Sequence, residues 1–210
     1  DDRRRGVAAW RRSDIALRMA DYRTMESAAR HAIAFAERAG DEALGLLAQV
    51  RLALALCLLG DASAGKELAL EGLSAARGQG LRQIEARFLN ALAYIAAEQN
   101  DLMATLETIQ QQLPIDRELG DRRSEADTVV NLGYAWLTLG EFPKALHHLE
   151  EGLRLTRAVG YRASEPYPLL NLSQLALWNG DAAIALSHAQ AALDIAIAVM
   201  DSQKEASALC

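Results

Sequence analysis

The stretch NLGYAWLTLGEFPKAL, residues 131–146, decides how the rest of the sequence is read. Before its central Gly140-Glu141 pair, Leu132, Tyr134, Trp136 and Leu139 follow helical spacing; after it, Phe142, Ala145, Leu149, Leu153 and Leu155 do the same. Glycine closes a helix because it enters the left-handed conformation without strain. The acid that follows suits the start of the next helix, where a carboxylate caps free amides and meets the positive end of the dipole. The stretch predicts helix, turn, helix.

Working outward, the same turn recurs. Ala20-Asp21, Gly60-Asp61, Asn100-Asp101, Gly140-Glu141 and Gly180-Asp181 stand 40 residues apart, and a second series, Gly40, Gly80, Gly120, Gly160 and Met200, marks the opposite turn with the same step. One helical hairpin cannot bury its apolar face alone, but stacked hairpins share a continuous core. The predicted fold is all-α: an α-solenoid of antiparallel helix pairs in a right-handed superhelix, forming one array over residues 1–210. Its units are 1–40, 41–80, 81–120, 121–160 and 161–200, with 201–210 opening a truncated further unit. Arg11, Arg12 and Asp14 stand where other units carry apolar or aromatic residues, so 1–40 reads as a divergent first unit or cap. Ser202 to Glu205 has the spacing of a capping box, which supports a further first helix. The sequence starts at Asp1 and reads as a piece of a longer polypeptide.

Composition agrees with helices. Hydrophobic residues make up 51% of the chain, alanine and leucine dominate them, and only 3 Trp, 5 Tyr, 3 Phe and 4 Pro occur, which disfavours a β-sandwich or barrel. A net charge of −6 opposes a whole-molecule nucleic-acid footprint, although residues 1–40 carry 9 Arg against 6 acids. Cys57 and Cys210 encode neither a disulfide framework nor a zinc site, so a reducing, cytoplasmic setting is expected. The longest uninterrupted apolar run, near residues 52–59, ends at Gly60-Asp61, so no membrane span is expected.

Asn131 to Trp136, Gly140-Glu141-Phe142, Ala145, Leu149 and Gly152 together resemble a tetratricopeptide repeat, in which a Leu-Gly pair, an aromatic, a Gly-Asp turn and spaced alanines recur. Leu172-Ser173, Gly180-Asp181, Ala185 and Ala192 follow the pattern one unit later; Leu52-Ala53, Gly60-Asp61, Gly65 and Gly72 follow it earlier. The period of 40 departs from the family's usual period of roughly 34, and no proline closes the second helix. This longer form is similar to the arrays of bacterial multidomain signalling regulators, such as ATPase transcription activators and cyclase-linked proteins.

The resemblance implies that the first helices line an inner groove, with Asn90, Tyr94, Asp127, Tyr134, Gln174 and Trp178 as partner-binding positions. It implies a non-catalytic scaffold that binds a peptide or protein segment, or else a sensor array of a larger regulator that responds to a small ligand or peptide. Packing between adjacent helices is an equal alternative for Tyr134 and Trp178. Some family members grip a terminal carboxylate with asparagines and lysines, but the equivalent positions here lack lysine. A mixed polar and aromatic groove is therefore the expectation.

Other chemistry is sparse. Glu151 falls one turn from His147 and His148, and His148 and His188 share a register, but nothing completes a tetrahedral set. No metal, cofactor or catalytic residue is expected. Gly78-Gln79-Gly80 reads as a turn rather than a dinucleotide fingerprint, and the arginines at 3–5, 11 and 12 as a solvated helix face with no direct nucleic-acid role. Pro114 falls inside a second helix and predicts a kink or break; the polar run at 110–112 predicts that this helix leans outwards. Pro143 stands where proline costs little, and Pro166 and Pro168 predict a delayed helix start. Exposed solenoid ends offer a route to self-association.

Overall fold

A computed structural model describes the backbone of residues 1–208 and the side chains of residues 1–200. The described chain is helical with short connections: α1 (Asp2–Arg18), α2 (Tyr22–Ala39), α3 (Glu42–Leu58), α4 (Ala62–Gly78), α5 (Arg82–Glu98), α6 (Leu102–Leu119), α7 (Arg122–Thr138), α8 (Phe142–Ala158), α9 (Pro166–Trp178) and α10 (Ala182–Ala208). A single 3-10 turn, Arg162–Ser164, precedes α9.

The recurrent turns work as their residue types require. Asp21, Asp41, Asp61, Asp101 and Asp121 each accept a hydrogen bond from the backbone amide three residues on, at 3.0 to 3.1 Å. Each leaves fewer amides unpaired at its helix start. Glu141 does not cap α8 by its side chain; the longer acid reaches Lys144 instead, at 3.3 Å. The residue before each capping position has positive φ, and Ala20 (54°) and Asn100 (56°) adopt it without being glycine.

Small residues mark where helices touch. A Cβ on Gly133 would lie 2.8 Å from Leu149 Cγ, one on Gly152 would lie 2.5 Å from Val130 Cγ2, and one on Gly72 would fall 2.1 Å from the Phe88 ring. The chain forms two compact units, Asp1–Ile115 and a second from Asp116 onwards. In the first, Met25, Leu46, Val50, Phe88, Leu89 and Ile95 form the core. In the second, Leu149, Leu153, Leu169, Leu172 and Ala192 pack together, and Leu137, Ala145 and Leu175 form a neighbouring cluster.

The prolines divide. Pro166 and Pro168 do delay α9, which starts four residues later in its unit than α5 or α7 and has 13 residues against their 17. Pro114 breaks nothing: α6 remains one helix. Proline removes one backbone bond, while Leu106, Ile109, Ile115 and Asp116 stay buried on either side of it. The polar run does not turn the helix out, because Gln112 is itself buried. At the other end α10 continues through Met200, where the spacing predicts a turn, and on to Ala208. Met200 stands where the four earlier turns of that series have a positive-φ glycine, and a side chain there disfavours that turn. Residues 209 and 210 of the expected further unit lie outside the described residues.

Candidate interaction surface

The first helix of each pair, α1, α3, α5, α7 and α9, repeats one outward register. Residues spaced by four, three and four positions share a helix face. In the first unit this face carries Asp14 and Arg18 on α1, Arg51 on α3, and Arg87, Tyr94 and Glu98 on α5. In the second it carries Asp127, Asn131, Tyr134 and Thr138 on α7, and Asn171, Gln174 and Trp178 on α9.

The six sequence-predicted residues fall accordingly into two sets. Asn90 is exposed on α5 and Tyr94 is 39% exposed, with burial and the adjoining Glu98 carboxylate pushing its hydroxyl up to about 12. That phenol is neutral under physiological conditions and is hydrogen-bonded to Glu98. In the second unit Tyr134 is 52% and Trp178 51% exposed, and Gln174, which shares the register of Tyr134, is exposed as well. Trp178 forms a tilted ring pair with Phe142 at 5.7 Å. Asp127 is half-buried; burial raises its pKa against the pull of Arg123 and a hydrogen bond with Ser164. The Arg123 guanidinium lies 3.5 Å over the Tyr161 ring, so a cation, an acid and an aromatic meet beside this residue. Val130, which shares the register of Asn90, is buried against Gly152 within its own helix pair. That register therefore runs along the edge of the outward face.

A recurrent ion pair escaped the sequence reading. Arg77 donates to Glu85 at 2.8 Å, Arg117 to Glu125 at 3.0 Å and Arg157 to Glu165 at 3.1 Å, each eight positions apart and each joining a second helix to the segment opening the next pair. Arg82 and Arg122 close the far side of the first two, at 2.6 and 2.8 Å. Burial pulls Glu85 and Glu125 up, but the hydrogen bonds from their two arginines prevail and hold both below the ordinary carboxylate value. The signal was available as Arg and Glu at a fixed offset with a 40-residue step. The arginines near the N-terminus are spent locally: Arg3 on Asp41, Arg4 on Asp1 and Arg5 on Asp2.

Three further features bear on chemistry. His147 Nε2 and His148 Nδ1 each lie 3.9 Å from Glu151 Oε2, a donor set small enough for a metal ion, while the other Glu151 oxygen faces Arg117 at 3.8 Å. Burial lowers the pKa of His148, and its Nδ1 is buried without a hydrogen-bond partner. Cys57 is buried and its thiol is pushed up, chiefly by burial, which opposes thiolate formation. Finally, Ala182–Met200 of α10 is long and apolar enough by composition to cross a membrane, with a mean hydropathy of 1.6, although His188, Gln190 and Asp194 interrupt the run and hid it from a search for unbroken apolar sequence. It packs on α9 as the second helix of its pair. An open depression of about 420 Å³, lined by Ile33, Glu37, Leu46, Gln49 and Gln79 among others, lies away from all six predicted residues.

No protein-family model matches the chain, and no curated protein matches it. Solved structures are similar in fold. BtubC (BKLC) from P. vanneervenii is 21% identical, with a TM-score of 0.73 over 89% of this chain and 78% of its own. A signal-transduction ATPase with numerous domains and a tetratricopeptide repeat sensor, from Pyrococcus horikoshii, is 14% identical, with a TM-score of 0.80 over 95% of this chain and 30% of its own. RapI in its apo form is 17% identical, with a TM-score of 0.76 over 96% of this chain and 74% of its own. The fold is that of a tetratricopeptide-repeat array, an all-α solenoid of helix pairs.

Proposed function

We propose that this chain is a non-catalytic interaction array that takes a peptide or protein segment on the outward faces of its first helices, in a cytoplasmic setting. The observation that supports it is the set of exposed Tyr94, Tyr134, Gln174 and Trp178 at two repeating registers of α5, α7 and α9. Aromatic and amide side chains give contact area and adaptable hydrogen bonding at modest entropic cost. Capture from the source lysate with the wild-type chain and with an Asn90→Ala, Gln174→Ala variant tests it. A protein retained by the first and lost by the second is the expected result; retention by both removes these two residues from the binding face.

A second reading follows from one likeness. The Pyrococcus horikoshii ATPase carries its repeats as a sensor, and the present chain spans about 30% of that protein's length. As a sensor array, the chain would answer a ligand by changing shape, which requires different affinity for two shapes. Small-angle scattering with and without the captured partner separates the two readings: an unchanged profile of the array itself favours the scaffold.

A further inference from the structure

The outward face of the first unit holds more positive charge than its neighbouring acid neutralises. Arg51 of α3, with 16% of its side chain exposed, is paired through one terminal nitrogen with Asp14 of α1. Its Nε is buried and has no hydrogen-bond partner. Asp14 is itself shared, because Arg18 reaches its other oxygen at 3.4 Å. Arg87 of α5 is exposed and takes part in no ion pair among the described residues. It lies near enough for its charge to act on Arg51, as does that of Arg18. Two guanidinium groups, those of Arg51 and Arg18, therefore share the Asp14 carboxylate, and the third, that of Arg87, stands near Arg51 with no acid of its own among the described residues. Glu98, the acid at the far end of the α5 face, is engaged by the Tyr94 hydroxyl.

A guanidinium presents five donors in a rigid fork that matches a carboxylate. Burying it with few acceptors is costly, and the cost falls when a further anion arrives. Asp14 occupies part of this site from within the chain. Arg18 on α1 and Arg87, Asn90 and Tyr94 on α5 are all exposed to solvent.

We infer that the α1, α3 and α5 face of the first unit binds an acidic peptide segment, whose side-chain carboxylates pair with the exposed Arg87 and Arg18 and complete the neutralisation that Asp14 alone leaves partial. The inference rests on the interaction-array reading above and adds the charge class of its partner. A chain terminus is not required, since any aspartate or glutamate supplies the group.

Fluorescence anisotropy of the whole chain with a labelled, acetylated and amidated hexaglutamate peptide tests this, with hexaglutamine as its neutral counterpart. The glutamate peptide should bind at least tenfold more tightly than the glutamine peptide, and its affinity should fall as salt rises. Arg87→Gln and Arg18→Gln should each weaken it about fivefold, a loss typical of a partly exposed charged contact. Asp14→Asn, which releases two arginines, should strengthen it severalfold. Both arginines replaced are exposed, and thermal melting of each variant checks that the fold is retained. Equal binding of the two peptides, or unchanged affinity in Arg87→Gln and Asp14→Asn, overturns the inference. In that event the lysate capture with the Asn90 and Gln174 variant still decides the broader reading, so the two fail separately.

Discussion

The two compact units use one backbone register to present different surfaces. Where α1, α3 and α5 place Asp14, Arg51 and Arg87, α7 and α9 place Asp127, Asn131, Tyr134, Gln174 and Trp178. The first face is charged and under-neutralised; the second is aromatic and amide-rich. Their packing follows a common rule, with small residues at helix contacts and an Arg to Glu pair at successive junctions. A repeat fold thus separates what must stay constant from what is free to vary, and the comparison locates specificity on the outward register.

The largest effects belong to the constant part. Gly72→Leu in the first unit and Gly133→Leu in the second both insert atoms where a Cβ already meets a neighbour, at 2.1 Å from the Phe88 ring and 2.8 Å from Leu149. Each is expected to destabilise by about 1–3 kcal/mol or more. The Gly72 variant should be worse, because an aromatic ring cannot yield as a leucine branch does. Thermal or denaturant unfolding ranks them, and the reverse order would mean that α4 and α5 separate more readily than α7 and α8.

The junction acids come next. Glu85→Gln should cost about 1–2 kcal/mol at neutral pH, within the range of hydrogen bonds to charged groups after allowance for exposed arginines. Glu125→Gln should cost less, since Arg117 and Arg122 are 51% and 69% exposed against 46% and 39% for Arg77 and Arg82. Both carboxylates titrate below their ordinary value of 4.5 in the folded chain. Their contribution is complete above that value and disappears as pH falls through the folded one. The difference between wild type and variant should therefore vanish in acid unfolding curves; a difference that persists there would be steric.

How much of this was legible depends on what each residue must do locally. Turn positions were readable because capping and positive φ restrict the residue types, as Asp61 after Gly60 and Asp121 after Gly120 illustrate. The end of α10 was not, because Met200 keeps the spacing while lacking the conformation. Tyr94, Tyr134, Gln174 and Trp178 were placed by the family resemblance, and all four are exposed. Arg51 and Arg87 escaped because they occupy the outward register at different turns of successive helices. The meeting of Arg51 with Asp14 on one side and with the charge of Arg87 on the other appears only when α3 packs on both α1 and α5.

Smaller effects test the variable part. Tyr134→Ala and Trp178→Ala should leave the melting temperature within about 1–2 °C, because each side chain is half exposed and adds little to the core. Binding of a captured partner should weaken at least tenfold in one of them. A fall in stability from Trp178→Ala, with binding intact, would assign that ring to packing on Phe142.

The finest comparison lies within one helix, between residues two positions apart. Glu125 is depressed by its two arginines, whereas burial raises Asp127 above 3.8 despite Arg123 and Ser164. A raised folded value means that the folded chain holds the proton more tightly than the unfolded one, so ionised Asp127 opposes folding at neutral pH, and the penalty fades as pH falls through the folded value. Asp127→Asn keeps the shape and an acceptor for Ser164. It should stabilise the chain by about 1 kcal/mol or less at pH 7. No gain should remain at acid pH, which is opposite in sign to the behaviour of Glu125→Gln on the same helix. If Asp127→Asn instead loses stability at pH 7, the attraction of Arg123 outweighs burial and the acid serves the fold. If it gains stability and loses a partner, the carboxylate is kept on this face for binding at a cost to folding.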